Sequence, residues 1–500
     1  MPKVPASNSA RLKIYVSENE GVFSTDNQIL FCKLCDIRVN SLKRFTVNQH
    51  LKTAKHLHAV NRLKTNAIKT KENLVSNGIC GNHSVFNEDL CKMMLSANIL
   101  LSKLNNKFLT EFLIKYTNKD IPNESTLRKN YVTDIYKKKI ESIKRYVNNK
   151  NIWICIDETT DVEGRYVANV IIGTLEIDAP VKTFLFNSEV LDQTNHKTIC
   201  KLFDETLFLL WPEEIKRDNV LLFVSDAAPY MVKAGKALSA LYTKIIHITS
   251  LAHAVYRVCE EIRKNFPKID SLISNGKKIF LKAPSRVLIF KNNAPGIPLP
   301  PQPIITRWGT WLEAATYYCD NYKAFCEVIN MLNEEDAVSI EQVKKLIQEP
   351  ILEGNLIFIK THFSFIPNKI MFLEKHEVLL ADSISSFDEI VKKISETPGS
   401  IGKLMNNKLN TILKKNTAYG LLKNIKDIIS GTRESIPNMD QNITVTDIPY
   451  FKYAPVSSVD VERSFSAYKT VLADNRRRFT FENLKKTLIV QCNSHFNENE

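Results

Sequence analysis

NIWICIDETTDVEGRYVANVIIGTLEIDAPVKTFLFNSEVL, residues 151–191, holds three runs rich in β-branched and aromatic residues. Turn-prone polar stretches separate the runs, which is the pattern of three meandering strands. HKTICKLFDETLFLL (196–210) follows with helical spacing. DNVLLFVSDAA is a short apolar run of the buried-strand type ending at an acid, and KIIHITS is a further strand leading into the helix AHAVYRVCEEIRK. Three strands, a helix and two more strands alternating with helices predict a mixed sheet covered by helices.

Working outward, residues 260–450 are helical in pattern, interrupted by the proline-rich NNAPGIPLPPQPIITRW, and the segment PYFKYAPVSSVDVERSFSAYKTVLADNRRRFTFENLKKTLIVQC lies beyond them. Upstream, FNEDLCKMMLSANILLSKL, NNKFLTEFLIKY and a polar start at Asn123 before STLRKNYV read as three short helices. With 500 residues, 44% hydrophobic and 24% charged, the chain has room for about three domains. No apolar run is long enough for a membrane span and the first residues lack a secretory segment, so a nuclear or cytosolic protein with reduced thiols is expected.

The net charge is +14. Residues 1–72 hold 13 Lys/Arg against 5 Asp/Glu, more than half of that excess in about a seventh of the chain. Such a footprint suits a polyphosphate partner. It surrounds Cys32 and Cys35, with His50 and His56 further on; this spacing lets a β-hairpin give two thiolates and a helix two imidazoles to one tetrahedral zinc. His58 is an alternative to His56. Lys43, Arg44, Lys52 and Lys55 bracket the expected finger helix, where cations hold phosphates and place the residues between them at base edges.

Three acids stand where a carboxylate is positioned: Asp157 ending NIWICID, Asp226 ending VLLFVSD, and Glu462 opening ERSFSAYKTVL. Converging, they suit a pair of Mg²⁺ or Mn²⁺ ions for phosphodiester transfer. A single strand-terminal Asp is more often a turn residue or cap. Asp161 competes with Asp157 but has the more polar setting.

Two resemblances sharpen this. ILFCKLCDIRVNSLKRFTVNQHLKTAKHLH with the helical stretch after it resembles the CGG triplet repeat-binding family, nuclear transcriptional regulators with a BED/U1-like finger, which implies GC-rich DNA. IDETTDVEGRYVANVIIGTL, VSDAAPYMVKAGKAL, ITRWGTW and SSVDVERSFSAYKTVLADNRRRFTFENLKKTLIV are similar, in order, to blocks of hAT-superfamily transposases.

That second resemblance implies an RNase H-like fold carrying Asp157, Asp226 and Glu462 as a DDE triad. It implies Trp308 stacking on a flipped base with Arg307 on phosphate, His253 in support, and terminal inverted repeats as substrate. Departures are Ser250 where the family has Cys, and DETTD without the usual tryptophan.

The expected layout is multidomain α+β: a disordered basic stretch (1–25), a ββα zinc finger (26–60), a linker (61–84), a helical domain (85–150), the first part of the RNase H-like core (151–260), an all-α insertion giving a second DNA-contacting surface (261–445), and a catalytic and dimerising region (446–495). RSFSAYKTVL and NLKKTLIVQC repeat apolar residues at helical spacing, as a homo-oligomer seam or ordinary core. Arg476, Arg477 and Arg478 read as a solvated or phosphate-facing turn. Two functions follow: a metal-dependent transposase, or a catalytically retired DNA-binding regulator of transcription.

Overall fold

The computed structural model describes residues 8–19, 21–25, 29–35, 37–57, 59–60, 84–304, 309–433, 443–472 and 480–496. The chain divides into two compact units, Met1–His83 and Ser84–Glu500. Arg307, Trp308, His58, Arg476 to Arg478 and nearly all of the expected linker lie outside the described residues.

In the first unit, strands β1 (Phe23–Thr25), β2 (Leu30–Cys32) and β3 (Ile37–Val39) form an antiparallel sheet in sequence order, and helix α2 (Arg44–Leu51) follows. The stretch expected to be disordered instead carries helix α1 (Asn8–Glu18), whose Leu12 and Tyr15 are buried with Phe23, Leu30, Val39 and Val47. The finger is therefore αβββα, not ββα. The physical reason is size: so short a segment has too little apolar surface of its own, and α1 supplies part of the core.

The second unit opens with α3 (Val85–Ser96), α4 (Lys107–Thr117), α5 (Glu124–Asn130) and α6 (Val132–Val147). The first of the three short helices read there, FNEDLCKMMLSANILLSKL, breaks after Ser96, where Asn98 takes φ 55°, and resumes as a 3₁₀ turn at Leu101–Asn105. Asn123 caps α5, its side chain accepting from the Thr126 amide. This helical part is not a separate body. Val490, near the other end of the chain, joins its buried cluster.

The sheet contains β4 (Asn151–Thr160), β5 (Tyr166–Leu175), β6 (Thr183–Leu191), β7 (Val220–Ser225) and β8 (Ile246–Thr249) in the order β6-β5-β4-β7-β8. The first three pair antiparallel, and β7 and β8 run parallel to β4. Gly173 faces Trp153 across the β4–β5 pair, and a Cβ there would lie 2.0 Å from the indole nitrogen, so the close approach requires glycine. Helix α7 (His196–Leu210) packs on β6 and on α8 (Pro229–Leu238), α8 packs on β7 and β8, α9 (Leu251–Asn265) follows β8, and α7 starts on an Asn195–Thr198 capping box.

Helices from Pro267–Phe280 to Ala418–Ile429 then form the expected helical block, which shares one buried cluster with the sheet. The chain returns through α10 (Val459–Val471), packed across β4, β5 and β6, and α11 (Phe481–Cys492), packed on α6, α3 and β6. Phe465, Tyr468 and Val471 of α10 and Leu484, Leu488 and Ile489 of α11 are buried in this core. The residues read as a possible seam between copies are thus core, because the sheet's own face needs covering.

Candidate functional sites: a four-ligand cluster and a carboxylate edge

Cys32 ends β2, Cys35 lies in the turn to β3, and His50 is in the last turn of α2. His56 comes from a separate helical turn beginning at Ala54, whose Thr53 hydroxyl accepts from the His56 amide. One continuous helix, as expected from the sequence, fails on geometry. At 3.6 residues per turn, six residues rotate a side chain about 120° off the starting face, so the break at Lys52–Thr53 is what brings both imidazoles to one point.

The four ligand atoms lie within 4.8 Å of one another. His56 Nδ1 is 3.5 Å from Cys32 Sγ and 3.3 Å from Cys35 Sγ, and the His50 and His56 rings sit edge to face at 4.9 Å. His50 Nε2 is buried without a hydrogen-bond partner. Two thiols, two imidazoles and an orphaned nitrogen fit a tetrahedral zinc. Burial lowers the pKa of both imidazoles, helped at His50 by His56 and Lys55, which keeps them neutral as ligands must be. Burial and the neighbouring Cys32 raise the Cys35 thiol.

Around this cluster Lys43, Lys52 and Lys55 are exposed. Arg44 differs: its guanidinium is 2.7 Å from the Glu18 carboxylate of α1. The unexpected helix α1 therefore occupies one of the four cations assigned to phosphate.

In the second unit the register pairs Cys155 with Val224. Two residues further on, Asp157 and Asp226 stand side by side at the carboxyl end of the parallel strands, where open α/β sheets place their ligands. Burial, Glu158 and Asp226 push the Asp157 carboxyl well above its usual range, and Glu462 adds to this. Asp226 Oδ1 accepts from the Ala228 amide at 3.0 Å. Glu158 accepts from the Tyr230 hydroxyl.

Glu462 is in the first turn of α10 and is held from α9. His253 Nε2 lies 3.6 Å from Glu462 Oε1, while its Nδ1 is 3.1 Å from Ser458 Oγ, which itself donates to Glu462 Oε1 at 3.4 Å. Ser250, the residue departing from the family pattern, caps α9 by accepting from the His253 amide and also accepts from the Ser458 amide. Its hydroxyl thus ties α9 to the α10 start.

A second tie was missed in the sequence. Asp161, in the β4–β5 turn, accepts from the Glu163 and Arg165 amides, from Arg165 Nε at 2.8 Å and from the Tyr468 hydroxyl of α10 at 2.8 Å. Asn169, opposite Asp157 on β5, donates to Ser464 Oγ of α10 at 2.8 Å. No local signal marks these pairs, whose partners are about 300 residues apart.

The three acids therefore share one edge and one field. Among the described residues, however, only the Cys32, Cys35, His50 and His56 cluster has three or more ligand atoms within 4.8 Å of one another.

Comparison with known proteins divides along the same two sites. Residues 7–62 match the family described as the CGGBP1 N-terminal domain, and residues 122–279 match the family described as a domain of unknown function, DUF659. Human and mouse CGG triplet repeat-binding protein 1 are each 26% identical to this chain over 146 residues, covering 26% of this chain and 87% of the relative. The first match starts one residue before α1, so that helix falls within the matched domain.

Proposed function

We propose that this chain is a nuclear zinc-finger DNA-binding protein of hAT transposase descent. The observation that carries the reading is the coincidence of the four-ligand cluster with the segment matching the CGGBP1 N-terminal domain, whose relatives are named for binding CGG triplet repeats. Cys32, Cys35, His50 and His56 would hold the zinc, which supplies the free energy that closes the turn, α2 and the following helical turn onto one another. Lys43, Lys52 and Lys55 then face phosphate, and the exposed Leu42 and Phe45 at the α2 start face the groove.

The test is fluorescence anisotropy of a CGG-repeat duplex against a scrambled duplex at fixed salt, before and after zinc chelation. Sequence-selective binding lost on chelation is expected; equal binding by the chelated protein would overturn the finger's role.

The order β6-β5-β4-β7-β8 with three antiparallel and two parallel strands supports an RNase H-like core, with Asp157, Asp226 and Glu462 as its DDE acids. The helices between α9 and α10 occupy the place of the superfamily's insertion. Favouring retained catalysis is the double anchoring of Glu462 through His253 and Ser458. The acids offer the oxygen donors that Mg²⁺ or Mn²⁺ takes, but their oxygens do not close on one point as the finger ligands do. Incubation with Mn²⁺ and inverted-repeat DNA measures the outcome: nicking that vanishes in Asp157→Ala marks a working transposase, and binding without nicking marks a transcriptional regulator on a retired fold.

A further inference from the structure

A cleft of about 1030 Å³ opens beside the carboxylate edge, beginning at Ala227, the residue after Asp226. Lys236 of α8, Arg257 of α9, and Lys408, Lys414 and Lys415 of the helix Gly399–Lys415 line it, and among the described residues no Asp or Glu does. Lys408 is paired with Glu261 at 3.3 Å. Among the described residues Lys236, Arg257, Lys414 and Lys415 have no carboxylate partner. Lys236, Lys414 and Lys415 stand in the last turns of their helices, where a cation complements the dipole, but Arg257 lies inside its helix, and the dipole does not explain why cations from three helices converge on one cleft.

The walls are fixed. Asn416 donates to the Thr249 carbonyl at 2.7 Å and accepts from its amide, closing the free edge of β8 and setting Lys414 and Lys415 beside the sheet. His247 on the floor is 2.8 Å from Ser225 Oγ through Nε2, and burial pushes its pKa down to about 4, so it brings no charge. The helix Ala418–Ile429 starts at the cleft with no side-chain cap on its N-terminal amides. On α9, Arg257 follows one turn after His253, so the cationic wall continues from the residue that holds Glu462.

We infer that this cleft holds the phosphodiester backbone of a single DNA strand running off the carboxylate edge. The inference rests on the DNA-binding reading above and names a ligand for the second unit. A cleft of this volume has room for part of one strand, and a duplex is the alternative occupant that the experiment below tells apart. Lysine and arginine lining a groove without acids is how single strands are tracked independently of sequence.

The experiment uses the full chain with a fluorescent oligothymidylate and, separately, a CGG-repeat duplex, titrated over a range of salt. Lys236→Gln/Lys414→Gln/Lys415→Gln is compared with Lys345→Gln/Lys392→Gln/Lys403→Gln, which removes the same charge from exposed positions elsewhere. The cleft variant is expected to bind the single strand at least about tenfold more weakly at physiological salt, with a log–log salt slope shallower by about 2, as three lost phosphates at about 0.7 each require. Duplex binding through the finger stays unchanged.

Equal weakening by the control variant, or a loss confined to the duplex, overturns the cleft assignment and leaves the finger reading standing. Binding of neither DNA by the wild-type chain removes both.

Discussion

The finger and the carboxylate edge solve the problem of bringing polar groups together in opposite ways. In the finger all four ligands lie within 25 residues, and a small core around Leu12, Tyr15 and Phe23 leaves their convergence to the metal. At the edge, Asp157, Asp226 and Glu462 span over 300 residues of chain, and a large core with hydrogen-bonded ties holds them near one another while they repel. Where the scaffold is small the ligand organises the site; where it is large the scaffold can tolerate a site that is unfavourable when empty of partners.

The largest expected effect breaks the comparison at the finger. Cys35→Ser or chelation should abolish the finger's fold, since structural zinc contributes on the order of 10–16 kcal/mol of apparent binding free energy. Calorimetry should show the melting of the second unit unmoved. A shift of both transitions would mean that the units are not energetically separate.

Asp161→Ala comes next, with a loss of about 1–3 kcal/mol in the second unit, because it removes the acceptor shared by the Glu163 and Arg165 amides, Arg165 Nε and the Tyr468 hydroxyl, while Arg165 keeps its contact with Glu163. The same residue gives a pH dependence. Burial alone would raise its carboxyl, but the amides of Arg165 and Glu163, the Arg165 guanidinium and the Tyr468 hydroxyl outweigh it and hold the pKa below the usual range. A carboxyl depressed on folding stabilises above its unfolded value, near 4, and that stability is lost as pH falls through the folded value. Chemical denaturation from pH 6 downward should therefore fall off more gently in Asp161→Asn.

Ser458→Ala should cost only about 1 kcal/mol, the worth of an ordinary hydrogen bond, yet depress any Mn²⁺-dependent nicking because it removes one contact from both Glu462 and His253. Nicking that matches the wild type at equal folded fraction would show that the tie does not position Glu462. Smallest is Arg44→Ala: its exposed pair with Glu18 is worth under about 1 kcal/mol. It should leave the salt slope of DNA binding nearly unchanged, whereas Lys52→Ala should lower that slope by about 1.

These differences track what a linear sequence can carry. β4, β5, β6 and β7 were legible because each is a short β-branched run with turns at both ends, and the zinc ligands because their spacing is local. Helix α1 was not: its polar surface hides Leu12 and Tyr15, two apolar residues whose partners lie across a turn. The break between His50 and His56 was legible in principle, since six residues on one helix cannot share a face. Asp161 was read as a poorer copy of Asp157, and its engagement with Tyr468 depends on a packing event 307 residues away that no local pattern encodes. The apolar rows of α10 and α11 had helical periodicity in either role, and only the sheet face beneath them assigns them to the core.

The docking of α11 has a consequence in time. β6 pairs with β5 early in the chain, but the Asn493 side chain that bonds both the Leu185 amide and its carbonyl arrives 308 residues later, with Val490 completing the helical cluster around Leu90 and Leu127. At roughly 5–20 residues per second the ribosome exposes that half-covered sheet for on the order of half a minute before its lid exists. The yield of folded chain should therefore respond to translation speed between residues 191 and 492 more than to changes in the finger.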